Sequence, residues 1–337
     1  GSIGSEIAKQ CTEYDPKFLV LLDQAETPLY ELEYSINKPN VEVMIGDVAN
    51  AGRMRQMFKA FKPDIIFHAA AYKHVPLMED NPYEAVNTNV FGTRILANLA
   101  VEYNAEKFVF VSTDKAVNPT NIMGASKRMA EIYVQSFNNI LDLKSASHTK
   151  FITTRFGNVL GSNGSVIPRF KQQIEEGGPI TVTHPDITRY FMTIPEACQL
   201  VLEAGAMGNG GEIYIFDMGE SVKIVDLARK MIKLSGFQEG NDIEIVFTGL
   251  RPGEKLTEEL LNNKEHTIGT HHPKIMVAKV RKFDFDDVDE VIEGMRKNKD
   301  KLTNRLIVTS MKQMIPEFIS NNSIYEELDL KAKMALD

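Results

Sequence analysis

Residues Ser112 to Lys127 read STDKAVNPTNIMGASK and concentrate groups able to move protons. Thr113 offers a hydroxyl, Asp114 a carboxyl and Lys115 an amine, directly after the apolar run Phe108-Val109-Phe110-Val111. A carboxyl beside an amine can serve general acid–base chemistry. Such work calls for a raised Asp pKa and a lowered Lys pKa. Burial pushes both that way, while the adjacent opposite charges push back. The helical pattern GASKRMAEIYVQSF follows, and in it Met123 and Lys127 stand four apart on one face. A methionine there is ordinarily core filling, but this face follows a strand ending in three polar residues, which packing does not require. A thioether neither takes nor gives a proton, so the proton chemistry falls to Asp114 and Lys115.

The elements that must position these groups alternate along the first half of the chain. Phe18 to Leu22 is an apolar run ending at Asp23, and Val41 to Ile45 is followed by Gly46-Asp47-Val48. Ile65 to His68 leads into Ala69-Ala70-Ala71, and Lys107 to Val111 leads into the motif above. Helical patterns at Met54 to Phe61 and Ala85 to Tyr103 lie between them. Such alternation predicts an α/β fold with a doubly wound parallel sheet. Ligands then bind beyond the carboxyl ends of the strands, where each of these polar clusters sits. After about Gly161 the segments shorten and Gly, Pro and Asn become frequent, with a helix at Ile194 to Ala206 returning to the sheet. The expected organisation is a nucleotide-binding domain at 1–165, a smaller mixed substrate-binding region at 166–283 and a charged helical extension at 284–337.

Composition bounds the partners. The chain has 337 residues, 43% of them hydrophobic, enough for a sizeable core. Its formal net charge of −8 argues against nucleic acid and against an anionic membrane surface. Cys11 and Cys198 are far apart, without metal-ligand spacing, and point to a reducing, cytoplasmic setting with no disulfide framework. His271-His272 lacks a nearby third ligand, so no metal is expected. No signal peptide and no apolar run of about 18 residues occur, so no membrane contact is expected from this stretch.

Residues 1 to 12, GSIGSEIAKQCT, read as the second half of a glycine-rich phosphate loop entering a helix. Gly1 and Gly4, with Ser2 and Ile3 between them, match the last two glycines of a dinucleotide fingerprint. Asp23 follows Gly4 by 19 residues, at a strand end, where an acidic residue holds ribose hydroxyls. An Asp there repels a 2′-phosphate, which favours NAD over NADP. The first glycine and the preceding strand of such a fingerprint are not in the sequence, which suggests a part of a longer gene product.

These residues together resemble the extended short-chain dehydrogenase/reductases. Within them the chain is similar to the UDP-N-acetylglucosamine 4,6-dehydratases of the CapD-like polysaccharide biosynthesis family, over roughly residues 1 to 265. The carrying motifs are GSIGSE, LLDQAE, GDV, HAAAYKHVPLME, STDKAVNPTNIMGASK, RFGNVLGSNGSVIPRF, TRYFMT and GLRPGEKL. Superfamily members usually hold a Tyr four residues before the Lys; Met123 occupies that place, as in the large dehydratases, whose full-length forms often carry a membrane region. The resemblance implies NAD, a UDP-sugar substrate and a homo-oligomer. It implies oxidation at C4, loss of water across C5 and C6, and return of hydride to C6. Asp114 would protonate the leaving oxygen, Lys115 would act at C5, Lys127 would bind the nicotinamide ribose and Thr113 would orient the C4 hydroxyl. What takes the C4 proton without the Tyr stays open.

A UDP-sugar brings a dianionic diphosphate to an acidic protein, so cations must gather locally. Arg155, Arg189 and Arg251 lie in polar, Gly-rich contexts where a guanidinium can fork onto phosphate oxygens, Arg251 foremost. Asn158 and the Gly164-Ser165-Val166 backbone would position the sugar and phosphates, with Lys73 near the sugar. Asp47 and Val48 would face the adenine, and Ala69, Ala70 and Ala71 would line the cofactor. A nucleotide-sugar 4-epimerase and a non-catalytic nucleotide-binding module are the competing readings.

Overall fold

A computed structural model describes residues 1–145, 147–261 and 266–329. The four predicted strands form as β1 (Leu19–Asp23), β2 (Val41–Ile45), β3 (Ile65–His68) and β4 (Lys107–Val111), followed by β5 (Lys150–Arg155). β3, β4, β5 and the Ile213–Phe216 strand run parallel in that spatial order. Two antiparallel strands, Ile275–Lys279 and then His266–Gly269, complete this sheet of six. β4 and β5 lie inside it with helices on both faces; β4 reads as a continuous apolar run for that reason, and β5 is buried from Phe151 to Arg155 although it carries two threonines and an arginine. The alternating pleat sends Phe108 and Phe110 to one face and Val109 and Val111 to the other.

The helix Ile122–Lys144 packs on the first face, and Ile194–Met207 with Ser2–Cys11 on the second. Asn121 opens the Ile122–Lys144 helix, its side chain accepting from Gly124 N at 2.7 Å. The predicted helix Ala85–Tyr103 is one winding stretch whose middle, Val86–Gly92, widens to π geometry before Thr93–Glu102 resumes the α form. Asn89 in that widened part exchanges hydrogen bonds with the Tyr72 backbone and donates through Nδ2 to Ser126 Oγ at 2.8 Å.

Among the described residues β1 and β2 pair only with each other, in parallel. β1 and β3 do not pair there; they line one cavity. A separate small core, from Phe170, Ile174, Ile180, Val182, Ile224 and Ile232, holds the second region. The chain's own helices Phe285–Lys297 and Asn304–Met314 cover the Ile122–Lys144 helix, with Phe285 stacked on Phe137 at 4.8 Å. Arg94 fixes the first of them through Asp289 at 2.7 and 3.1 Å. Residues 330–337 of the expected extension lie outside the described residues. No helix among the described residues is long and apolar enough to cross a membrane.

Candidate active site

One cavity of about 1950 Å³ opens at the carboxyl ends of the parallel strands and collects nearly every predicted site residue. It exceeds the roughly 300–1,000 Å³ of ordinary ligand pockets because it continues between β1 and β3. Directly after β4 the chain makes a single turn of 3₁₀ helix, Asp114–Ala116, with the Thr113 hydroxyl at its start. Thr113 Oγ1 donates to Asp114 Oδ1 at 2.8 Å, and Lys115 Nζ reaches the same oxygen at 3.0 Å. Asn158 Oδ1 accepts from Lys115 Nζ at 3.1 Å. Thr113, Lys115 and Asn158 form the cavity wall, while Asp114 is fully buried just behind it. Its Oδ2 has no hydrogen-bond partner and lies under Gly157, where a Cβ would sit 3.2 Å away.

The charge state of Lys115 is a balance that the sequence left open. Burial works to lower its pKa, but the carboxylates of Asp114 and Glu258 outweigh burial and the opposing Arg189, and the net shift is upward. Lys115 therefore rests as an ammonium. Lys127 behaves oppositely: burial pushes it down to about 7, only partly countered by Glu131. Its Nζ donates to Val111 O at 2.7 Å and lies 3.9 Å from the Phe110 ring centre. Met123 is buried and shares the cavity wall with Lys127. His68, held by Thr93 at 2.8 Å, is pushed down to about 3 by burial and by Lys127, so it stays neutral.

At the other end of the cavity the helix Ser2–Cys11 begins with no side-chain cap and no acidic residue in its first turn. Its free N–H groups and dipole make a seat for an anion. Gly1, Ser2, Ile3 and Gly4 line the cavity there, with Asp23, Asp47, Val48 and the small side chains of Ala69, Ala70 and Ala71. Asp23 and Asp47 also close turns, accepting from Ala25 N at 3.0 Å and Ala49 N at 2.8 Å. Gly164 has φ +69° and packs on His74, whose ring a Cβ would approach to 2.6 Å. Ser165 and Val166 follow on the wall, where Lys73 Nζ ties this loop down through Asn163 O at 2.8 Å.

The three arginines separate. Arg189 and Arg251 line the cavity, joined by Glu254 at 3.5 and 3.1 Å. Arg155 does not: its side chain is 1% exposed and its guanidinium forks onto Glu131, with Nε and Nη2 each at 2.8 Å. A charge sealed in the core cannot reach a diphosphate, so the binding role predicted for Arg155 is withdrawn. Other groups of the site escaped the sequence reading. Gly124 admits the Lys115 carbonyl against the helix backbone, where a Cβ would collide with it. Glu254 and Glu258 stand in the quoted GLRPGEKL segment and just after it; only their burial distinguishes them from surface glutamates.

The model of the family described as "Polysaccharide biosynthesis protein" matches residues 1–280. The chain belongs to this family. The capsular polysaccharide biosynthesis protein CapD of Staphylococcus aureus is 51% identical over 90% of this chain and 51% of its own length. This chain thus spans about half the length of the first curated relatives it matches. The UDP-N-acetylglucosamine 4,6-dehydratase (inverting) of Campylobacter jejuni is 34% identical over 79% of this chain and 76% of its own. A UDP-glucose 4-epimerase of Rickettsia rickettsii is 36% identical over 74% and 71%. The chain is therefore a member of a family of sugar-nucleotide dehydratases and epimerases. Among solved structures, Pen from Bacillus thuringiensis superposes with TM-score 0.75 at 33% identity, covering 88% of this chain and 94% of its own. At 22% identity and TM-score 0.69, the dTDP-glucose 4,6-dehydratase DesIV of Streptomyces venezuelae, solved with NAD bound, shares the fold over 89% and 96%.

Proposed function

We propose that the chain carries the active site of an NAD-dependent UDP-N-acetylglucosamine 4,6-dehydratase serving capsular polysaccharide synthesis. The observation that carries the reading is the Thr113–Asp114–Lys115 turn on the cavity wall beside Met123, where a phenol would serve simple oxidation. NAD fits the residues present: an uncapped helix N-terminus for the pyrophosphate, Asp23 for ribose hydroxyls and three alanines on one wall. Lys127 would hold the nicotinamide ribose. When bound, NAD accepts hydride from C4 of the sugar and returns it to C6.

The 4-ketone acidifies the neighbouring C5 proton. Lys115, as the free amine, takes that proton while Asp114, as the acid, protonates the oxygen leaving C6. The C5–H and C6–O bonds break, a C5–C6 double bond forms and water departs. Lys115 then returns its proton to C5, and the proton released from the C4 hydroxyl on oxidation replaces the one carried away with water, so the pair ends with its resting proton. At rest the shared proton is on Lys115, and its transfer across the 3.0 Å contact to Asp114 Oδ1 makes both groups competent at once. Arg189 and Arg251 would take the diphosphate, with Asn158, Lys73 and the Gly164-Ser165-Val166 turn around the sugar.

Incubation with NAD⁺ and UDP-N-acetylglucosamine, followed by mass analysis, tests the reading. The expected product is lighter by one water and carries a 4-keto-6-deoxy sugar. A C4 epimer of unchanged mass would assign the site to epimerisation instead, and no product from a nucleotide-binding protein would assign it to binding alone.

A further inference from the structure

Between the acid–base turn and the arginines stands a carboxylate that the reaction above does not use. Glu258 is buried and lines the cavity. Its Oε1 lies 3.6 Å from Lys115 Nζ and 3.9 Å from Arg189 Nε, and its Oε2 has no hydrogen-bond partner among the described residues. A buried carboxylate with an orphaned oxygen costs stability, so its retention calls for a use. The charged groups facing Lys115 are Asp114 from its own turn, Glu258 from the segment after Arg251, Arg189 from the strand Thr188–Arg189, and Lys73. The two anions, at 3.0 and 3.6 Å from Lys115 Nζ, outweigh the cations, and removing either one weakens the hold on the Lys115 proton.

We infer that Glu258 is a positioning residue that acts through Lys115: it steadies the ammonium between turnovers and, with Asp114, sets the pH at which Lys115 becomes a base. The dehydratase reading supplies what Lys115 does; the geometry supplies the coupling.

Lysine side-chain NMR of the NAD-loaded protein, with the Lys115 signal identified by its loss in Lys115→Met, reads the coupling directly. Glu258→Gln keeps the shape and removes the charge. Lys115 should then titrate about one pH unit or more lower, the size expected for a unit charge 3.6 Å away even under water-like screening. The low-pH limb of solvent-deuterium incorporation at C5 should move down with it. Glu258→Asp keeps the charge and should leave both near their original pH even where turnover falls. Arg189→Gln, which removes the opposing cation, should move the Lys115 titration upward and serves as the test if Glu258→Gln does not fold. An unmoved Lys115 titration in folded Glu258→Gln, or an equal downward move in Glu258→Asp, would overturn the inference. If the titration moves but no dehydrated sugar is made, the coupling stands and the dehydratase reading fails. If sugar is dehydrated and the titration stays put, the coupling alone fails.

Discussion

The molecule holds two clusters of buried charge, each with an arginine that its local sequence offers as an anion ligand. In the first, Glu131 binds Arg155 through both carboxylate oxygens at 2.8 Å and takes Arg128 Nη1 at 3.1 Å. Burial alone would raise the Glu131 pKa, yet the two guanidinium groups pull it down to about 2. In the second, Asp114, Lys115, Glu258 and Arg189 stand 3.0 to 3.9 Å apart, and Asp114 Oδ2 and Glu258 Oε2 have no partner. The closed cluster ties the Ile122–Lys144 helix to β5, and its fixed, forked geometry leaves nothing over for a ligand. The open one lies at the cavity with acceptor capacity unspent. A buried ion pair that satisfies itself is a strut; one that does not has been kept for something else.

The contrast breaks most visibly through Lys115→Met. With the acid–base pair disabled, turnover should fall about 10²–10⁴-fold, and solvent deuterium should no longer enter C5 by NMR of the sugar. Its thermal unfolding should drop as well, because the buried Asp114 loses its cation, so turnover is compared on protein that is folded and still binds UDP. The mirror image is Arg155→Met, which strands Glu131 and should cost about 3–5 kcal/mol of stability in urea unfolding. Binding of UDP by the protein that remains folded should be unchanged, and a specific loss of UDP affinity would return Arg155 to the site. The smallest effect belongs to Arg251, whose side chain is 48% exposed and paired only with Glu254 among its described ion pairs. Arg251→Ala should weaken UDP by about 1.5–3 kcal/mol, roughly 10- to 150-fold by calorimetry. Unchanged UDP affinity with slower turnover would move Arg251 away from the diphosphate.

Much of this was legible in the sequence because it depends on local pattern. The apolar runs at β1 to β4 end where their polar successors begin, so the strand ends and the groups displayed there follow from hydrophobic periodicity alone. Thr113, Lys115, Met123 and Lys127 come to one wall because a strand end and the first turns of the next helix are neighbours along the chain. Tertiary structure alone decided which charges meet. Arg155 and Arg189 each follow a threonine and precede an aromatic residue, yet Arg155, at the end of β5, faces Glu131 of a helix 24 residues earlier, while Arg189 faces the cavity. Glu258 reaches Lys115 across more than a hundred residues of chain, and no spacing rule connects them. Burial and Asp114 were visible beforehand and oppose each other; the second carboxylate adds its pull on the raising side, because Coulomb energy follows distance in space and not separation in sequence.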